Sequence, residues 1–180
     1  MRRRAWLLGG AAAVGALGGA GVAIVRQGSD PAANDARAAA ELWSLSFERL
    51  DGTALAMRSL RGKPLLLNFW ATWCAPCVTE LPLLDAFSRE HAERWQVLGL
   101  AVDRPDPVRR FAAERALQLP LALAGMEGIE LSRSLGNAAA ALPFTVVFDS
   151  RGRLVQRRLG VLDAEMLREW SRITAASGAN

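Results

Sequence analysis

The segment 73–77, with the sequence WCAPC, contains both cysteines of the 180-residue chain. It follows an apolar run at 65–70 and precedes a helix-like stretch at 78–91. This order predicts a strand that delivers Cys74 to the first turn of a helix, with Cys77 one turn further in. The unpaired N–H groups and the positive dipole at a helix N-terminus lower the pKa of a thiol. A disulfide across so short a loop suits exchange better than it suits stabilisation of a fold.

The charge of the chain is concentrated near its N-terminus. Residues 1–28 contain no acidic residue, and their four arginines account for the whole net charge of +4. These arginines are Arg2, Arg3, Arg4 and Arg26. The remaining chain is electrically balanced, and its basic runs do not exceed a pair such as Arg109 and Arg110. We therefore expect no binding to nucleic acid.

Residues 1–26 have the pattern of an export signal or a membrane anchor. Three arginines precede an uncharged run, 7–25, that is rich in Gly and Ala, which is the order of regions in an export signal. Arg3 and Arg4 also resemble a twin-arginine signal. The run of 19 residues is just long enough to span a bilayer if it is not cleaved. We expect a periplasmic protein, either soluble after cleavage or anchored to the inner membrane by 7–25 alone.

The rest of the chain is predicted to hold one α/β domain. Residues 27–41 are small and polar and are interpreted as a linker, the domain spans 42–174, and 175–180 form a tail. The predicted strands are 45–49, 53–57, 65–70, 95–102, 119–123, 144–149 and 154–159, and the predicted helices are 78–91, 106–117, 129–135 and 163–173. The apolar strand 65–70 is expected to be buried on both faces, as in a parallel sheet. This order of elements is typical of an α/β sandwich built on a βαβ unit.

The residues at 68–82, NFWATWCAPCVTELP, resemble the signature of TlpA/ResA-like exported thiol–disulfide oxidoreductases of the thioredoxin superfamily. The resemblance covers about 42–174 and implies the thioredoxin fold, a central mixed sheet flanked by helices. Those proteins also carry an N-terminal β-hairpin and a helix–strand–helix insert, which 42–57 and 106–135 would supply. The implied partners are a protein disulfide substrate and a membrane thiol electron donor. We expect a monomer that needs no cofactor.

The functional roles within the motif are predicted as follows. Cys74 is the attacking, exposed thiol, and Cys77 is the buried resolving thiol that releases the mixed disulfide. The two together form the redox disulfide. Pro76 lies where its missing N–H costs nothing, and it tunes the geometry of the pair. Trp73 is expected to cover the rim of the site.

Leu142 and Pro143 form the second candidate region, at the start of a predicted strand. Proline is disfavoured within a sheet except at an edge or at the first residue of a strand. In the thioredoxin fold this position carries a cis-proline beside the cysteine pair, and Pro143 matches it. The resemblance therefore implies a cis bond that leaves the backbone of Leu142 free to pair with an extended substrate chain.

Glu80 is the candidate proton acceptor for the buried thiol. Thioredoxins place an Asp in the first central strand, but Asn68 stands there in this chain and cannot act as a base. Glu80 follows Cys77 by three residues, so the two lie on the same side of a helix, and the TlpA/ResA-like pattern carries a Glu at this place. Partial burial would raise the pKa of Glu80 towards the working range.

The residue types present exclude a structural zinc site and covalent haem, and two functions other than disulfide exchange stay open. A structural zinc site needs about four Cys or His ligands, and the chain has three such residues. Covalent haem needs His directly after the second cysteine, where Val78 stands.

A thiol peroxidase is an alternative, because peroxiredoxins share this fold and Thr72 matches a residue type that they use. An exported binding or assembly protein is another, and it would retain docking after Cys74→Ser. Apocytochrome c is a substrate by family analogy alone, and the direction of electron flow is open.

Overall fold

A computed structural model describes residues 30–176, with side chains up to residue 172. The predicted export segment, 1–26, lies outside the described residues. The compact unit that carries the sheet begins at Pro31. Within residues 30–176, no helix is both long enough and apolar enough to cross a membrane.

The described residues form a mixed sheet of seven strands with helices on both faces. The strands are β1 Ser46–Arg49, β2 Ala54–Ala56, β3 Leu65–Trp70, β4 Gln96–Ala101, β5 Leu121–Leu123, β6 Phe144–Phe148 and β7 Leu154–Leu159. The helices are α1 Pro31–Ser44, α2 Ala75–Glu90, α3 Pro105–Glu114, α4 Gly128–Ser134 and α5 Ala164–Ala176, and a short 3-10 helix occupies Met57–Leu60. The strand order is β2-β1-β5-β4-β3-β6-β7. Parallel pairing joins β3 to β4 and β4 to β5, and the other pairs are antiparallel.

Strand β3 is buried at every position, as its largely apolar sequence predicts, and Asn68 is its one polar residue. Successive side chains of a strand point to opposite faces. Leu66 and Trp70 therefore join the core cluster that contains the buried face of α2. Leu65, Leu67 and Phe69 join the cluster that contains the buried face of α1. Because its side chains enter both clusters, β3 connects the two halves of the core. Full burial of each such side chain contributes about 1.5–3 kcal/mol to the stability of the fold.

The pairing of β3 decides which loops meet. Its parallel partner β4 places Ala101 opposite Trp70, and its antiparallel partner β6 places Phe144 opposite Phe69. The last residues of β3 and β4 and the first residue of β6 therefore lie at one edge of the sheet. The cysteine segment leaves β3 at this edge, and Pro143 enters β6 there.

The interpretation of 27–41 as a linker is wrong for 31–41, which form most of α1. The buried face of α1 consists of Ala38, Ala39, Leu42 and Trp43. The indole Nε1 of Trp43 donates a hydrogen bond to the carbonyl oxygen of Gly152 at 2.8 Å. Alanine has the highest helix propensity, and packing of one apolar face supplies the stability that a short isolated helix lacks. A segment that is rich in small residues therefore folds as a helix against the sheet.

The predicted hairpin and insert are both present. Strand β1 pairs with β2 and also with β5, so the N-terminal hairpin extends the sheet. The insert follows the predicted order of α3, β5 and α4. Helix α3 is Pro105–Glu114 rather than the predicted 106–117, with Arg104 at the N-cap position. Helix α5 continues to Ala176, so 175–176 are helical rather than part of a tail.

The docking of α1 can be tested with two adjacent substitutions. Ala39 is 5% exposed, whereas Ala40 is on the solvent side of the same helix. We expect Ala39→Asp to lower the free energy of unfolding by about 3 kcal/mol, because it buries an unpaired charge. Ala40→Asp is the matched control and should cost less than about 1 kcal/mol. Urea denaturation measures both, and equal effects would contradict the docking of α1.

Candidate active site

Cys74 and Cys77 form a disulfide at the first turn of α2. Cys74 is the N-cap residue of the helix, and its Sγ accepts a hydrogen bond from the backbone N–H of Cys77 at 3.3 Å. Pro76 follows within the first turn, where helix N–H groups have no partner inside the helix. Cys74 is 6% exposed and Cys77 is fully buried. Both cysteines lie at the start of α2, but the prediction that Cys74 is exposed is wrong for this oxidised pair, because Cys74 packs in the same core cluster as Cys77.

A buried aspartate fixes the segment between β3 and the cysteines. The Oδ2 atom of Asp103 accepts hydrogen bonds from the backbone N–H of Thr72 at 2.9 Å and from its hydroxyl at 2.5 Å. Its Oδ1 atom accepts one from the N–H of Arg104 at 2.7 Å. Asp103 is 6% exposed and lies just after β4. The sequence analysis did not identify Asp103 as a residue of the site. Its position just after β4, which is parallel to β3, could have indicated it, because such strands end at the same edge of the sheet.

The Leu142–Pro143 peptide bond is cis, which confirms the prediction. The carbonyl oxygen of Pro143 accepts a hydrogen bond from the N–H of Gly160 at 2.9 Å. Leu142 is half-buried and packs against the core cluster that contains both cysteines. Within residues 30–176, its own N–H and C=O form no backbone hydrogen bond. The Leu142 backbone is thus available at the edge of the sheet where the cysteines lie.

Two exposed apolar side chains flank these segments in the sequence. Trp73, immediately before Cys74, is 62% exposed, and Val161, immediately after Gly160, is 43% exposed. Trp70, in contrast, is fully buried and packs on Phe111 with ring centroids 5.5 Å apart. Trp73 is therefore the tryptophan that presents apolar surface beside the disulfide.

Glu80 is buried, with only 2% of its surface exposed. Its Oε1 atom accepts a hydrogen bond from Nδ2 of Asn68 at 2.7 Å, and its Oε2 atom accepts one from the backbone N–H of Leu162 at 2.8 Å. Asn68 also donates to the hydroxyl of Thr145 at 3.0 Å. The sequence predicted burial of Glu80 but not its hydrogen bonds with β3 and with the segment after β7.

Burial raises the pKa of Glu80 above its ordinary value, because a charged carboxylate loses its hydration in the core. The hydrogen bonds from the Leu162 N–H and the Asn68 amide lower the pKa in part, because both stabilise the ionised form. Desolvation is the larger effect. Glu80 is therefore a carboxyl group whose proton is retained to higher pH than that of a solvated glutamate.

The reactive groups of the candidate active site are the two cysteine sulfurs and the carboxyl group of Glu80. Within residues 30–176, no group of three or more His, Cys, Asp or Glu side chains is arranged to hold a metal ion. The thiol couple carries two electrons when it is oxidised or reduced, and it needs no further group for that reaction.

The fold and the cysteine pair together define a protein of the thioredoxin fold that exchanges disulfides. The family described as Redoxin matches residues 31–174, so the chain belongs to that family. This confirms the predicted membership of the thioredoxin superfamily and the predicted fold class. The protein is an enzyme, a thiol–disulfide oxidoreductase of the TlpA/ResA-like type.

Relatives and solved structures cover most of the chain. The thiol-disulfide oxidoreductase ResA of Halalkalibacterium halodurans is 28% identical over 137 residues, which are 75% of this chain and 76% of that protein. The thioredoxin-like protein YneN of Bacillus subtilis is 30% identical over 121 residues, 65% of this chain and 68% of that protein. A thiol:disulfide interchange protein of Chlorobium tepidum has a crystal structure that superimposes with a TM-score of 0.63 at 26% identity, covering 74% of this chain and 92% of that one.

Glu80 is expected to make the stability of the protein depend on pH. Because its pKa is raised above 4.5 in the folded state, the folded protein keeps this proton to a higher pH than the unfolded chain. Its contribution to stability is fully present below the unfolded-state pKa and is lost as the pH rises through the folded-state pKa. We therefore expect the unfolding free energy of the wild type to fall relative to that of Glu80→Gln as the pH rises from the unfolded-state pKa through the higher folded-state pKa.

Urea denaturation of the oxidised proteins at several pH values measures this difference. Groups other than Glu80 contribute equally to both proteins and cancel. A difference that stays constant with pH would contradict a raised pKa of Glu80 in the folded state.

Proposed function

We propose that the protein is a periplasmic reductase of protein disulfides, with Cys74 and Cys77 as its catalytic couple. The observation that carries the proposal is the asymmetry of the pair at the start of α2. Cys74 as a residue keeps a small exposed fraction, and its sulfur accepts a helix N–H, whereas Cys77 is fully buried one turn further in. This arrangement favours attack by one thiol and release by the other.

The proposed reaction has two exchange steps. The Cys74 thiolate attacks one sulfur of a substrate disulfide, forming a mixed disulfide and releasing the other substrate sulfur as a thiolate that takes up a proton. The Cys77 thiol then loses its proton and attacks the Cys74 sulfur. The Cys74–Cys77 disulfide forms, and the second substrate thiol leaves. Two electrons pass from the cysteine pair to the substrate.

Glu80 is proposed to accept the proton of Cys77. The two residues are three positions apart on α2 and so share one side of the helix. A buried carboxyl with a raised pKa exchanges its proton closer to neutral pH than a solvated carboxyl does. Asn68 stands where thioredoxins place an aspartate, and it has no proton to give or take at neutral pH.

The substrate segment is proposed to dock along Leu142 and Pro143. The free backbone groups of Leu142 suit pairing with an extended chain, as in strand addition to a sheet edge. The exposed indole of Trp73 adds apolar surface beside Cys74, and Pro76 fixes the backbone between the two cysteines. The partner is thus a protein segment in extended conformation that carries a disulfide.

The reducing direction is proposed from the position of Glu80, three residues after Cys77 on α2. An ionised Glu80 disfavours a thiolate at Cys77, and a reduced state that is less stabilised gives a more reducing couple.

The leader at 1–26 supports export, and an oxidising compartment requires a membrane thiol donor to re-reduce the pair. Apocytochrome c is a substrate of the required kind, since its haem-site cysteines must be reduced. We propose a monomer, tethered by 7–25 where the leader is retained.

Two cysteine substitutions test the order of attack. Cys74→Ser should lower the rate of disulfide reduction in a protein substrate by about 100-fold or more, because the attacking group is lost. Cys77→Ser should retain attack but accumulate a mixed disulfide through Cys74, because the resolving thiol is absent. Mass spectrometry of the acid-quenched reaction detects the adduct. Wild-type protein that binds partners without turnover would favour the assembly-protein alternative.

The equilibrium potential tests the direction of electron flow. We expect the Cys74–Cys77 couple to lie near the thioredoxin value of about −270 mV when it is equilibrated with glutathione. The fraction oxidised is read by thiol labelling across a series of glutathione ratios. A value near about −120 mV would show an oxidant instead.

A further inference from the structure

We propose that Asn68 is the positioning residue for Glu80, and that its side-chain amide turns over when Glu80 gains or loses its proton. The inference rests on the role proposed above for Glu80 as the proton acceptor. It adds a second residue to that step, one that carries no proton itself but accommodates both states of the acid.

The contacts of Asn68 fit an ionised Glu80. Both hydrogens of the Nδ2 group are used, one on Oε1 of Glu80 at 2.7 Å and one on the hydroxyl of Thr145 at 3.0 Å. A carboxylate only accepts hydrogen bonds, and both oxygens of Glu80 accept one, the second from the Leu162 N–H. Within residues 30–176, the Oδ1 atom of Asn68 is buried and has no hydrogen-bond partner.

The same contacts do not fit a protonated Glu80. The Leu162 N–H is part of the backbone and keeps donating to Oε2, so the acidic hydrogen belongs on Oε1. There it faces the Nδ2 group of Asn68, and two donors meet. A half-turn of the amide exchanges its two ends and brings Oδ1, an acceptor, opposite the O–H of Glu80.

The hydroxyl of Thr145, the second partner of the Asn68 amide, can bond to either end of that amide. A hydroxyl can both accept and donate, so Thr145 accepts from Nδ2 in one orientation and donates to Oδ1 in the other. Leucine at position 68 would serve neither state of Glu80. Aspartate would place a second carboxyl against the first, and two such groups share one proton. Asparagine can thus face either state of Glu80. The half-turn moves Nδ2 to the place where Oδ1 has no partner within residues 30–176, so it is favoured only when a protonated Glu80 would otherwise oppose a second donor.

The surroundings of Glu80 leave this role to Asn68. From its own helix, Cys77 is one turn away, and in the oxidised protein its sulfur is in the disulfide and does not titrate. From β3 and from the segment after β7, the partners are the uncharged Asn68 amide and the Leu162 N–H. The charged residue that follows, Asp163, accepts the N–H of Met166 at the start of α5. Within residues 30–176, the pKa of Glu80 is set by burial and by the two hydrogen bonds, without a charged neighbour.

Nuclear magnetic resonance of the oxidised full-length protein tests the proposal without turnover. The side-chain carboxyl carbon of Glu80, assigned by its loss in Glu80→Gln, reports the titration of the acid. The Asn68 NH₂ protons should show cross-peaks to Thr145 above the Glu80 midpoint and lose them below it. Cross-peaks that persist through the midpoint, or a Glu80 that stays ionised at every pH where the protein is folded, would overturn the proposal.

Substitutions at position 68 give an independent reading. Asn68→Leu should raise the Glu80 midpoint by about one pH unit, because it removes a donor to the charged form. Asn68→Asp is close to isosteric and should give two titration steps, the upper one at least about one unit above the wild-type midpoint. Ser132→Ala removes a buried hydroxyl that accepts from Asn137, and as the control it should leave the midpoint unchanged. An unchanged midpoint in the folded Asn68 variants would overturn the role of Asn68.

The proposed function fails separately from this inference. If the rate of disulfide reduction shows the same pH dependence in Glu80→Gln as in the wild type, Glu80 is not the proton acceptor of the reaction. The NMR titration could still show that Asn68 follows the proton on Glu80. If Glu80→Gln changes the reaction but the Asn68 variants leave the Glu80 midpoint in place, only the inference about Asn68 is wrong.

Discussion

The burial of β3 between two partners is the constraint on which the other features depend. Parallel β4 and antiparallel β6 leave β3 no exposed edge, and its side chains enter both halves of the core. Because of these pairings, the ends of β3 and β4 and the start of β6 lie at one edge of the sheet. The cysteine pair, Asp103 and the cis Leu142–Pro143 bond are brought to that edge by strand pairing rather than by contacts of their own.

Glu80 connects the chemistry of the pair to this frame. Its two carboxyl oxygens are bound from different elements, by Asn68 of β3 and by the backbone of Leu162 after β7. The same parts of the chain flank the proposed docking segment at Leu142 and Pro143. The N–H of Gly160 donates a hydrogen bond to the carbonyl oxygen of Pro143, and Thr145, which accepts one from Asn68, follows Pro143 by two residues. Glu80 is thus held by two parts of the chain that lie outside α2. Its burial costs stability at neutral pH, which is a common property of groups that exchange protons at functional sites.

Local patterns predicted the parts of the site that lie within one stretch of chain. The strand, the helix start and the spacing of Cys77 and Glu80 all fall within 65–90, where periodicity and helix geometry suffice. The role of Asp103 could not be predicted in this way, because its partner Thr72 is 31 residues away. Helix α1 was missed for another reason. Its many alanines are compatible with a linker or with a helix, and only the buried contacts of Leu42 and Trp43 decide between the two.

The chemical class of this protein could therefore be predicted from its sequence, because a thiol pair at a helix start is a local feature that neighbouring residues create. The succession of strands along the chain could be predicted as well, since apolar runs and turn residues are local patterns. The surroundings of Glu80, the residue that holds the loop before Cys74 and the place of α1 in the domain follow from the folded structure alone. Each of these depends on hydrogen bonds or packing between residues that are distant in sequence, and such contacts exist only when the sheet has assembled.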